Sequence, residues 1–163
     1  MAKRIAYLGM FTALAMVLGW LESLVPLVPV VPGMKLGLAN VVTIVVLYRF
    51  GWKEAGGVNL LRVGLSSILF GNLSLFLYSL SGAVLSLVVM ALLKKSDKFS
   101  MPVVSVAGGI MHNIGQLVMA ILLIENRSLL YYLPVLMISG MVSGVLIGLC
   151  GAWLHRHLPV EIS

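Results

Sequence analysis

Seven polar side chains stand within or at the edges of long apolar runs: Glu22, Lys35, Asn40, Arg62, His112, Asn113 and Gln116. Arg62 is the costliest. In the middle of a membrane-length helix an arginine costs about 2.5–3.5 kcal/mol on translocon scales, so it needs a partner or a purpose. Asn59 and Ser66, at i−3 and i+4, share its helical face. Two readings stay open here: an arginine that holds an anion in an inward pocket, or a structural arginine bonded to backbone carbonyls or to Glu22. His112 and Gln116 are four apart and Asn113 and Gln116 three apart, so all three occupy one side of a helix. Gly108 and Ala120 continue the His112 stripe. Such a side can hydrogen-bond a solute or tie helices together. Glu22, Lys35 and Asn40 flank a proline-rich stretch, 26–32. They can form the mouth and lid of a pocket, or be ordinary interfacial charge.

Other chemistries lack their residues. His112 has no second histidine, cysteine or acid cluster beside it, so no metal site is expected. There is no Walker A loop. Asp97 is the one aspartate in the chain, which excludes an Asp-rich diphosphate–magnesium motif. No Ser–His–acid arrangement is legible, and no catalytic residue or cofactor is expected. Cys150, the single cysteine, cannot form an intrachain disulfide and reads as a packing residue.

The elements that must position these groups follow from composition. Of 163 residues, 61% are hydrophobic and 10% charged, and mean hydropathy is +1.12. Soluble domains carry roughly 45–50% apolar and about 25% charged residues. A soluble fold, a disordered chain and a disulfide-rich module are therefore excluded, and an all-α, polytopic membrane protein remains. The net charge of +6 marks membrane topology rather than a nucleic-acid surface, because the basic residues lie between apolar runs.

Six spans are expected, at about 5–25, 36–50, 54–70, 73–93, 102–124 and 129–154. The first, though preceded by Lys3 and Arg4, is too long for a signal-peptide core and is read as retained. From Val63 to Leu93 no charge occurs over 31 residues, and Gly71-Asn72 divides that stretch. With both ends inside, the inner side holds Lys3, Arg4, Arg49, Lys53, Lys94, Lys95, Lys98 and Arg156, and the outer side Lys35 and Arg127. Merging the third and fourth spans would put the Lys94–Lys98 cluster outside, against the positive-inside rule. A single transmembrane domain covers 1–163.

Helices in lipid associate through small residues. Gly140, Gly144, Gly148 and Ala152 form a smooth ridge at i, i+4 spacing in the last span, for packing within the chain or for a partner. Gly9 and Ala13, and Ala15 and Gly19, give the first span small faces too. His155 and His157 read as a basic flank.

At Pro32-Gly33-Met34-Lys35-Leu36-Gly37-Leu38-Ala39-Asn40 and at Met111-His112-Asn113-Ile114-Gly115-Gln116, the sequence resembles a bacterial membrane family. That family is described either as Gx transporters or as heptaprenyl diphosphate synthase component I. It is in turn similar to the substrate-binding S-components of energy-coupling factor (ECF) transporters. The resemblance implies six helices in the bacterial cytoplasmic membrane and a pocket toward the outside. It also implies docking, through small residues of the first helix, onto a transmembrane coupling subunit with ATPases. Gly9, Ala13, Ala15 and Gly19 would match that docking role. The synthase description implies isoprenoid chain elongation, in which a chain without acid-rich motifs would serve as an accessory subunit. The expectation is a substrate-binding subunit for uptake of a small anionic or carboxylate-bearing solute, held among the seven polar residues. Accessory membrane subunit of polyprenyl diphosphate synthesis is the alternative.

Overall fold

The computed structural model describes residues 2–24 and 37–158. The proline-rich stretch and Lys35 lie outside them. Six α-helices follow in order: α1 (Ala2–Leu24), α2 (Leu38–Arg49), α3 (Trp52–Phe70), α4 (Leu73–Lys95), α5 (Met101–Ile124) and α6 (Leu133–His157), with a short 3₁₀ turn at Arg127–Tyr132 before α6. No strand occurs among the described residues.

The boundaries have local causes. Asn72 sits in extended conformation before α4, and its side-chain oxygen accepts from the Leu75 amide at 2.9 Å. That N-cap turns the long uncharged stretch into two helices. Proline stands in the first turn of α5 and of α6, where its missing amide costs nothing. Glu125, at φ 55, ends α5 in a left-handed turn.

Four segments are long and apolar enough to cross a membrane: Ala2–Glu22, Leu73–Lys95, Met101–Ile124 and Arg127–His157. Large apolar side chains such as Ile68, Leu92 and Leu122 point outward, as lipid-facing residues do. The chain is a multi-pass membrane protein. The other two helices are not among these four. α2 has 12 residues, roughly 18 Å at the helical rise, against a hydrocarbon core of about 30 Å. The expected second span, 36–50, is too short to cross alone. It is instead the central helix: Ala39 and every residue from Val42 to Leu47 are buried, a helix apolar all round. α3 has sufficient length, 19 residues, but carries Lys53, Glu54 and Arg62.

Consecutive helices run antiparallel, as three sets of close contacts record. Gly56 approaches Leu87, and Asn59 bonds Ala83, between α3 and α4. Gly115 approaches Ser81 and Gly82 between α4 and α5. Between α5 and α6, Gly140 meets Gly109, Gly144 meets Val106 and Gly148 meets Pro102. The ridge on α6 is thus consumed inside the chain. A Cβ on Gly144 would lie 2.6 Å from the Val106 Cα, and one on Gly148 2.5 Å from the Pro102 Cα. Cys150, two residues beyond Gly148, is exposed rather than packed.

One end of the bundle gathers its fixed charges. Arg4 pairs with Glu54. Arg49, closing α2, donates to the carbonyls of His155 and Leu158, the latter at 2.7 Å. Lys94 donates to the Leu47 carbonyl at 2.6 Å. These cations satisfy carbonyls that helix C-termini leave without partners.

Candidate functional site

Toward the opposite end of the bundle, a hollow of about 130 Å³ opens among five helices. Glu22 of α1, Asn40 of α2, Arg62 of α3, and His112 and Gln116 of α5 all line it. Five of the seven residues singled out by sequence therefore converge, from four separate helices. Lys35 lies outside the described residues. Asn113 is the one that turns away. It is buried, and its amide donates to the Leu136 carbonyl at 2.7 Å, so it ties α5 to α6 and does not line the hollow. Ser66, Ser67 and Ser79 add hydroxyls to the wall. Ser67 and Ser79 carried no sequence signal beyond being polar in an uncharged run.

Each group is held by identifiable contacts. The Arg62 Nη2 donates to the Asn59 side-chain oxygen at 2.6 Å. Asn59 is itself buried, and its amide reaches the Ala83 carbonyl at 3.5 Å, the long limit of a hydrogen bond. The Arg62 Nε is buried and makes no hydrogen bond among the described residues. Of the structural reading, the charge of Glu22 does act on Arg62, while Asn59 is its side-chain anchor and the Nε donor stays unused among the described residues.

Glu22 is buried, and its carboxylate accepts from two successive backbone amides, Gly37 at 2.5 Å and Leu38 at 3.2 Å. It fills the amide cluster at the start of α2, where a negative charge is favoured. Gly37 permits this: its φ of 77 lies in the left-handed region, and a Cβ there would stand 2.9 Å from the Asn40 side-chain nitrogen. Glu22 and Arg62 bring opposite charges to the wall of one hollow.

His112 and Gln116 reach the wall because α4 offers no side chain opposite them. A Cβ on Gly82 would lie 2.8 Å from the His112 carbonyl and 2.9 Å from the Gln116 Cγ. On α1 the two small pairs part company. Ala15 is fully buried, Gly19 packs near Ala39, and both line the hollow. Gly9 and Ala13 are exposed, with open space at Gly9. Of the four residues expected to dock a partner, only Gly9 and Ala13 face outward.

Residues 11–154 match the profile of a family described as heptaprenyl diphosphate synthase component I. The chain belongs to that family. The match takes in α2 to α5 whole, α1 from Phe11 and α6 as far as Leu154, and every described residue of the hollow. Comparison with curated proteins and with solved structures finds no match.

The hollow is close in size to the roughly 150 Å³ engineered cavity that takes up benzene. It has room for a small polar molecule or the head of a larger one, and not for a long prenyl chain. Its donors are a guanidinium, an imidazole, two carboxamides, an indole N–H and three hydroxyls, against one carboxylate, Glu22, that is engaged by the Gly37 and Leu38 amides; the set suits an oxygen-rich anion.

Proposed function

We propose that this chain is a membrane-embedded binding subunit that holds the anionic group of a ligand between Arg62 and the His112–Gln116 stripe. The observation that carries this is the convergence of Arg62, Asn40, His112 and Gln116 on one hollow in a chain with so few polar residues. Polar groups inside a bilayer are retained at a cost. Helix-tying alone does not account for an arginine whose buried Nε finds no hydrogen-bond partner among the described residues.

The family description favours polyprenyl diphosphate synthesis as the setting. In that role the chain is an accessory subunit at the bacterial cytoplasmic membrane. It receives a diphosphate head in the hollow while the prenyl tail lies elsewhere, and a soluble partner performs the elongation. The second reading is capture of a small anionic or carboxylate-bearing solute for uptake. The small size of the hollow, its cluster of donors and the outward Gly9 and Ala13, open to a transmembrane coupling subunit driven by ATPases, favour it.

Thermal unfolding of the purified protein in detergent tests the shared claim, because a ligand of the folded state raises the melting temperature. Inorganic diphosphate and a panel of small carboxylates are the probes. A rise with either class that vanishes in Arg62→Met supports the site, and no rise with any of them refutes it. Co-purification with a soluble prenyltransferase, with higher polyprenyl product on adding this chain, selects the first setting. Accumulation of a labelled carboxylate in cells that lose it on deletion of the chain selects the second.

A further inference from the structure

A second concavity has the opposite character. Between α3 and α4, on the bundle's outer surface, a groove of about 350 Å³ is walled by Leu60, Val84, Leu87, Val88 and Leu92, with almost no polar surface. It runs along α4 from Val84 to Lys95, roughly 16 Å of helix. Small residues make it: Gly56 and Ala83 leave its floor low, and the Asn59 amide is turned inward toward the Ala83 carbonyl. One end is closed by Trp52 and Lys95. The Lys53 ammonium lies 5.8 Å from the Trp52 ring centre. Of the acids at this end, Glu54 is paired with Arg4, and Asp97 stands among Lys94, Lys95 and Lys98, so the head of the groove keeps a net positive charge.

We propose that this groove is a binding site for one anionic phospholipid. An acyl chain lies along Leu87, Val88 and Leu92, and its phosphate is held by Lys95 and Lys53 at the bilayer surface beside Trp52. Charge complementarity selects the occupant. A neutral lipid gains nothing from the two lysines, and a partner helix would bury them without a counter-charge. An anionic head satisfies both while an acyl chain lies in the apolar groove. Tryptophan at the headgroup level is the usual interfacial anchor. This site is separate from the hollow at Arg62, and its test does not depend on that ligand.

The test is native mass spectrometry of the detergent-solubilised protein after exchange into vesicles of equal phosphatidylglycerol and phosphatidylcholine. The wild type retains one phosphatidylglycerol in preference to phosphatidylcholine. Lys95→Gln and Lys53→Gln each lower that retention about fivefold, the equivalent of the ~1 kcal/mol a basic residue contributes at an anionic surface. Val88→Trp fills the slot and removes retention of either lipid. Its folding is checked by its melting temperature. Equal retention of the two lipids, or retention unchanged by Val88→Trp in a folded protein, overturns the site. So does crosslinking of a photoreactive residue at Leu87 to a protein rather than to lipid in native membranes.

Discussion

Asn59 and Arg62, one turn apart on α3, are joined by a 2.6 Å hydrogen bond that fixes the guanidinium at the wall of the hollow. The carboxamide behind it is buried, so the arginine is aimed by a group that has little freedom to move. This pair couples affinity to stability. Replacing Arg62 by methionine strands the buried Asn59 side-chain oxygen and takes a positive charge from beside Glu22, which keeps only its bonds to the Gly37 and Leu38 amides. The expected result is a melting temperature below wild type in detergent in a protein that still folds, with the diphosphate- or carboxylate-induced rise lost. Asn59→Ala keeps the charge but loses its aim, so binding weakens about tenfold, the loss of roughly 1.4 kcal/mol. Isothermal titration of the two variants with the same probe checks this.

Asn113 provides the contrast. The sequence put it on one side of a helix with His112 and Gln116, and that breadth was the weakness of the inference. Adjacent residues are about 100° apart on a helix, enough to send His112 to the hollow and Asn113 to α6. Asn113→Ala therefore leaves ligand binding intact. It costs about 0.6 kcal/mol of stability, and at most about 1.7, the range for interhelical hydrogen bonds in membranes. A lost thermal shift in this variant at unchanged melting temperature would contradict the assignment.

Much of the architecture was legible because its causes are local. Gly71-Asn72 marked the division of the uncharged stretch, and Asn72 caps α4 there. The glycine spacing on α6 marked a close helix contact, which α5 supplies. The two small pairs on α1 were read alike as a docking face; six residues separate Gly9 from Ala15, a net angle of about 120°, enough for Ala15 to be buried while Gly9 is exposed. What spacing could not give was long-range. Glu22 finds its partners on backbone amides fifteen residues on, and backbone groups leave no signature in residue types. The centrality of α2 was likewise hidden, since an apolar helix reads the same facing lipid or buried among helices.

The Glu22 contact makes a specific prediction about α2. Glu22→Gln replaces a charge-assisted acceptor by a neutral one while keeping its shape, a loss of about 1–2 kcal/mol at the start of the helix. Amide exchange at Gly37, Leu38 and Ala39 should accelerate roughly tenfold, with little change at α5 or α6. Uniform acceleration across the bundle would mean that Glu22 supports the whole fold rather than this junction.

Glycines on the two sides of the bundle should respond with opposite sign. At Gly144 a methyl group meets backbone of α5, which has no rotamer to yield. Gly144→Ala should cost several kcal/mol, in the range of severe overpacking, and lower the melting temperature sharply. At Gly57 on α3 a Cβ meets nothing within 4 Å, so Gly57→Ala gains the helix propensity of alanine, about 0.8–1 kcal/mol. Melting curves of both in one detergent check the signs.

The charged end of the bundle defines the membrane orientation to be tested. Arg4, Arg49, Glu54 and Lys94 are interlocked with helix ends there, and the positive-inside rule assigns such an end to the cytoplasm. Ser96 lies just beyond Lys95 at that end, and Ser128 lies in the 3₁₀ turn at the other. Both are exposed. In a Cys150→Ser background, a cysteine at position 128 should react with a membrane-impermeant maleimide in intact cells, and one at 96 only after permeabilisation. Because α4 and α5 meet antiparallel at Gly82 and Gly115, the two sites are separated by one crossing, α5, and the short turn that follows it. The reverse labelling pattern would invert the protein and bring the end of the bundle that holds the hollow to the cytoplasmic side. That outcome favours delivery to a soluble synthase over capture from outside, so the same pair of cysteines also weighs the two proposed settings.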